Sequence, residues 1–87
     1  MAWNVILTHT FRRDFGKLAP EIRTRIEEVV QQLPESEGPR KLGHRLHGRW
    51  EGFYSLEVGL QYRIIYRVNL IAKVIELVAA GTHKIYR

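Results

Sequence analysis

The stretch Tyr54-Ser55-Leu56-Glu57-Val58-Gly59-Leu60-Gln61-Tyr62-Arg63-Ile64-Ile65-Tyr66 carries two β-branched and aromatic runs on either side of a glycine. That is the pattern of a β-hairpin. Turn length fixes the rest, because a slip of one residue moves every side chain to the opposite face. A two-residue turn mixes the hydrophobic set between the faces. A three-residue turn of Gly59, Leu60 and Gln61 sets Val58 against Tyr62, Glu57 against Arg63, Leu56 against Ile64 and Tyr54 against Tyr66. One face then holds Tyr54, Leu56, Val58, Tyr62, Ile64 and Tyr66, a core for helices to cover, with Gly59 supplying the unusual backbone angles. The other face shows Phe53, Ser55, Glu57, Arg63, Ile65 and Arg67. Opposed residues have Cβ atoms about 5 Å apart, so Glu57 and Arg63 can meet.

Working outward, strand-like runs cover residues 52–58, 61–68 and 73–80, and Glu76 falls on the same open face by parity. Upstream, residues 3–8 alternate apolar and polar as a half-buried strand does. Phe11, Phe15 and Leu18 follow at helical spacing, with Thr10 as a candidate N-cap. Pro20 suits the first turn of a second helix, whose stripe is Ile22, Ile26, Val29, Val30 and Leu33, and Pro34 ends it. Residues 34–39 read as loop and 40–50 as a basic, irregular stretch. The order β-α-α-β-β-β predicts a single α+β domain over residues 1–87, a two-helix hairpin packed on a twisted antiparallel sheet.

At 87 residues and 45% hydrophobic content, the chain can bury about 64% of its extended surface, enough for one core. Disorder is excluded, and the absence of cysteine excludes a disulfide scaffold, thiol nucleophiles and Cys-ligated zinc. No apolar run reaches a membrane span and the first residues do not form a signal peptide, so a cytoplasmic protein is expected. Fourteen Lys and Arg against nine acids give +5, and ten of the fourteen are arginine. Arginine's planar fork grips phosphate bidentately, which points to nucleic acid or an acidic protein as partner.

On the open face Glu57 sits beside Arg63 and Arg67. The tail beginning at Gly81 can bring His83 and Tyr86 to its edge, and the stretch before the hairpin can bring His44, His47 and Arg49. A carboxylate, guanidinium groups, an imidazole and a phenol suit phosphodiester transfer. RNA cleavage needs a base for the 2′-hydroxyl, a cation for the charged phosphorane and an acid for the leaving 5′-oxygen. The same residues also admit plainer readings: a cross-strand ion pair for Glu57 and Arg63, a surface arginine, a packing tyrosine. His44 and His47 lie three apart with no third ligand at zinc spacing, so no metal site is expected.

Several stretches together resemble the RelE/ParE superfamily of toxin–antitoxin toxins. They are the glycine-bearing Arg40-Lys41-Leu42-Gly43-His44-Arg45-Leu46-His47-Gly48-Arg49-Trp50-Glu51-Gly52-Phe53-Tyr54-Ser55-Leu56, the strand Tyr62-Arg63-Ile64-Ile65-Tyr66, and the ending Gly81-Thr82-His83-Lys84-Ile85-Tyr86-Arg87. Phe11-Arg12-Arg13-Asp14-Phe15-Gly16-Lys17-Leu18 also fits the superfamily's opening. The resemblance implies a toxin that enters the ribosomal A site and cuts mRNA without metal or other cofactor, neutralised by a cognate antitoxin. It places Arg63 on the phosphate-stabilising arginine, His83 on an Arg or His acting at the scissile phosphate or as general acid, and Tyr86 on the near-terminal aromatic. His44 falls on a histidine of the YafQ-like branch. Where the RelE type carries a lysine pair, this chain has Ser55 and Glu57, so Glu57 as base comes from geometry, with His44 as the alternative.

The expected activity is therefore endoribonuclease, with Arg45, Arg49, Arg67, Lys84 and Arg87 as further RNA contacts. The alternatives are a ParE-like toxin that poisons DNA gyrase without nuclease chemistry, and a degenerate toxin that only pairs with its antitoxin. An acidic, amphipathic antitoxin segment is expected over the helical hairpin or the open sheet face, with Ile65 and Val74 as apolar landing points.

Overall fold

The computed structural model describes residues 3–35, 38–82 and 84. The chain runs β1 (Asn4–Leu7), α1 (His9–Gly16), α2 (Pro20–Gln32), α3 (Pro39–Leu42), β2 (His44–Arg45), a 3₁₀ turn at Gly48–Trp50, β3 (Tyr54–Val58), β4 (Tyr62–Asn69) and β5 (Val74–Gly81). The sheet order is β1-β5-β4-β3-β2.

The β3–β4 register is the one that burial demanded: Val58 opposes Tyr62, Glu57 Arg63, Leu56 Ile64 and Tyr54 Tyr66. Gly59 takes φ +70° in the three-residue turn, where a Cβ would be strained. Ile26, Leu33, Ile64, Tyr66, Ile75 and Leu77 are fully buried, and Phe11, Val58 and Ala80 complete the same cluster. Each such aliphatic side chain contributes about 1.5–3 kcal/mol.

The sheet is mixed, not wholly antiparallel: β1 joins β5 in parallel, Asn4 beside Val74 and Leu7 beside Leu77. Alternation of apolar and polar residues gives a strand its faces and says nothing of its direction. Thr8, not Thr10, caps α1. The Thr8 Oγ1 accepts from the Phe11 N–H at 3.2 Å and donates to the Leu77 carbonyl at 2.8 Å, so the cap is also the helix's attachment to β5. α2 starts without a side-chain cap, on Pro20 in its first turn followed by Glu21, an acid that favours a helix N-terminus.

A register shift interrupts β4 and β5: Tyr66 pairs with Leu77 but Ile65 pairs with Ala79. The extra residue lets Leu77 and Ala80, three apart, both face the helices. Beyond the end of β1, the Asp14 carboxylate of α1 accepts the Ala80 N–H at 3.2 Å. The helix thereby covers β5 where strand pairing with β1 has run out.

The basic stretch before the hairpin is more ordered than its sequence suggests. Tyr66 reaches from the core to donate its hydroxyl to the Pro39 carbonyl at 2.7 Å, and the Gly43 backbone hydrogen bonds to the same hydroxyl. This holds α3 and delivers β2, which pairs His44 with Ser55 and Arg45 with Tyr54. Burial pushes the Tyr66 phenol up from 10 to about 12. Below pH 10 the phenol is neutral in both folded and unfolded chains, so its contribution is fully present there. Between pH 10 and 12 the unfolded chain ionises first, and about 2–3 kcal/mol of stability is lost. Urea titrations at pH 7 and pH 11, midway through that window, should show the wild type losing about 1.4 kcal/mol more stability than Tyr66→Phe; equal losses would rule the linkage out.

Candidate functional site

The face away from the helices carries its charges in pairs. Arg63 Nη1 lies 3.2 Å from Glu57 Oε2; the arginine side chain is only 15% exposed and the carboxylate 50%. Flanking strands restrict the guanidinium, and the carboxylate keeps access to solvent. Four residues along β4, Arg67 donates through Nε and Nη2 to a single Glu76 oxygen at 2.9 and 2.6 Å and lies over the Phe53 ring, 5.3 Å from its centroid. Glu76 reaches this face as parity predicts, and in doing so it engages Arg67.

Between these pairs, Ser55, Ile65 and Ala79 form a row across β3, β4 and β5, and all three are buried. Ile65 is fully buried and so cannot serve as an exposed landing point; Val74 is half-buried. The covering chemistry is aromatic. Trp50 lies edge-on to Phe53, centroids 5.4 Å apart at 89°, and shares a cleft with Ala79. No described residue accepts from its buried Nε1.

His44, directly opposite Ser55, shares the face of Glu57 and Arg63 and is exposed. Arg45, opposite Tyr54, takes the other face, so β2 does not bring it to Arg63. Arg49 is exposed in the 3₁₀ turn. Gly81, where the tail leaves the sheet, lies opposite Arg63. Lys84 is exposed on the wall of the Trp50 cleft. His83, Tyr86 and Arg87 lie outside the described residues. Among the described residues no group of three His, Asp or Glu could hold a metal ion, and no helix is long and apolar enough to cross a membrane.

Arg13 and Lys17 were not among the residues singled out from the sequence. They line that same cleft with Asp14. Their spacing of four on a helix was the available signal, but it did not show that α1 would border the sheet's other face at the free edge of β5.

Two helices over a five-stranded mixed sheet, with a charged hairpin on the uncovered side, define a RelE-like α+β domain. A chain of the RelBE2 toxin–antitoxin complex from Mycobacterium tuberculosis is similar at 26% identity, over 95% of this chain and 100% of that one, with a TM-score of 0.84. The free, mutant form of the Escherichia coli toxin RelE is similar at 19% identity, over 99% of this chain and 88% of that one, TM-score 0.78. A chain of the archaeal RelE–RelB complex from Pyrococcus horikoshii gives 24%, 94%, 96% and 0.74 respectively. Among curated proteins none matches in sequence. The family described as ParE toxin of type II toxin-antitoxin system, parDE, matches residues 5–84. The chain belongs to that family, within the RelE/ParE superfamily, and is the toxin of a type II toxin–antitoxin module.

Proposed function

We propose that this toxin is a ribosome-dependent endoribonuclease that cuts mRNA in the A site. The supporting observation is the Glu57–Arg63 contact at 3.2 Å, on the sheet face that the helices leave uncovered. An incoming phosphate takes the Arg63 guanidinium in exchange for Glu57, and the released carboxylate accepts the proton of the ribose 2′-hydroxyl. The 2′-oxygen attacks the adjacent phosphorus, Arg63 holds the phosphorane charge, and the 5′-oxygen leaves with a proton. The products are a 2′,3′-cyclic phosphate and a free 5′-hydroxyl. His83 is assigned as the acid and Tyr86 as the orienting aromatic. His44 is the alternative base, on the same face as Glu57. No step needs a metal.

Toeprinting on translating ribosomes tests this: the purified toxin should cut within A-site codons, and no cuts would reject the nuclease. Glu57→Gln should slow cutting by about 100-fold or more, the lower range for general base catalysis. An unchanged rate would leave Glu57 as a structural ion pair and pass the base to His44. One observation favours the gyrase reading: both arginines of this face are already matched by carboxylates, Glu57 and Glu76. DNA cleavage complexes with gyrase would establish it.

The chains it resembles in two of these structures were solved in complexes with antitoxins, and we assign this toxin a cognate antitoxin too. With Ile65 buried, its amphipathic segment fits the helical hairpin: Leu7, Phe11, Phe15, Ile26 and Val30 line a mainly apolar cleft of about 280 Å³ there, with Arg12, Glu27 and Gln31 as its polar members. Ile6 and Leu7 are exposed beside it on β1, which pairs on one side only. Val30→Lys should weaken antitoxin capture at least tenfold while A-site cutting is kept; undiminished capture would move the interface to the open face.

A further inference from the structure

We propose that the cleft between α1 and the 3₁₀ turn is a single-stranded RNA subsite, in which Lys17, Arg13 and Lys84 hold a backbone phosphate and Trp50 takes the adjoining base. The identification of that RNA as the cleaved message rests on the nuclease reading. The cleft measures about 370 Å³, within the range of small-ligand sites and large enough for one nucleotide. Three cations line it against one carboxylate, Asp14. That carboxylate is already committed: its Oδ2 accepts the Ala80 N–H at 3.2 Å and its Oδ1 lies 3.8 Å from Arg13 Nη2. The lining thus carries a net positive charge, and Arg13 and Lys17 are both exposed.

Position joins the cleft to the candidate active site. Ala79, on its floor, pairs with Ile65, and Gly81 pairs with Arg63. Two residues along a strand span about 6.6 Å, roughly the step from one phosphate to the next along an extended single strand. A strand of RNA whose scissile phosphate sits on Arg63 can thus lay a neighbouring nucleotide in the cleft. Trp50 is held edge-on by Phe53, so little rotamer freedom remains to be lost when a base stacks. A fixed aromatic ring beside a row of cations is how single-stranded nucleic acid is bound without sequence readout. An acidic peptide needs the cations but has no use for the indole.

The chain has two tryptophans, so Trp3→Phe leaves Trp50 as the sole indole reporter. In that background, titration with a fully 2′-O-methylated RNA hexamer, which cannot be cut, should quench Trp50 saturably. Lys17 is exposed at the C-cap of α1, and Lys17→Glu should raise Kd at least tenfold and flatten the log Kd against log salt slope by about one or more. No quenching, an unchanged Kd in Lys17→Glu, or equal quenching by a polyglutamate hexamer overturns the subsite. A-site cuts without quenching sink this inference alone. Quenching that depends on Lys17, without A-site cuts, supports the subsite and sinks the nuclease.

Discussion

Arg63→Ala is expected to slow A-site cleavage by at least about 100-fold, the usual scale for removing one electrostatic stabiliser of a transition state. Arg67, the other arginine of this face, is occupied: it gives two hydrogen bonds to Glu76 and lies over Phe53. Arg63 meets the half-exposed Glu57 at the longer distance of 3.2 Å, so it is the arginine assigned to exchange its carboxylate for a phosphate, and its 15% exposure restricts its geometry. The fold should survive. Glu57 is half exposed, so its carboxylate is rehydrated once its partner is gone, and loss of such a pair costs about 1 kcal/mol or less. Arg63→Lys should recover only part of the rate, because a point charge replaces a planar fork. Single-turnover cleavage on stalled ribosomes, beside thermal unfolding of the same variants, separates the two effects. A rate within threefold of wild type, with the variant folded, would remove Arg63 from the chemistry.

Gly43→Ala is expected to destabilise the domain by about 3 kcal/mol or more. The reason is space rather than backbone angle, since Gly43 has φ −106° and ψ 180°, open to any residue. A Cβ there would stand 2.7 Å from the Ser55 carbonyl oxygen and 2.7 Å from the Tyr66 hydroxyl. The first neighbour is strand backbone and the second a buried hydroxyl bonded to Pro39. Overpacking costs about 1–3 kcal/mol, and a buried polar group that loses its partner about as much again. His44 follows directly on β2, so surviving protein should also present that imidazole poorly. Urea unfolding measures the loss; a change below 1 kcal/mol would mean the segment moves aside freely.

The hairpin was legible because only one turn length kept six apolar residues together, and the ion pair of Glu57 with Arg63 followed from that register. Other features left no such mark. α3 and β2 are too short to show a period, and they depend on the distant hydroxyl of Tyr66. Thr8 and Thr10 are equally good caps locally; the Leu77 carbonyl, 69 residues away, selects Thr8. The bulge in β5 falls among Val78, Ala79 and Ala80, where small apolar residues carry no facing signal. Ile65 looked exposed because the aromatic turn ahead of the hairpin was not expected on that side. The site was legible as far as strand parity reaches, through Glu57, Arg63 and Glu76. Pairing of Glu76 with Arg67, and the approach of Arg13 and Lys17 from α1, depend on how elements distant in sequence come together.

The first strand of this chain finds its place only beside the last one, Asn4 against Val74 through Leu7 against Leu77. During synthesis on a ribosome, therefore, the early helices emerge with nothing to close upon, and the domain can lock only after β5 has cleared the exit. A toxin built in this order cannot complete its fold until β5 itself has been translated.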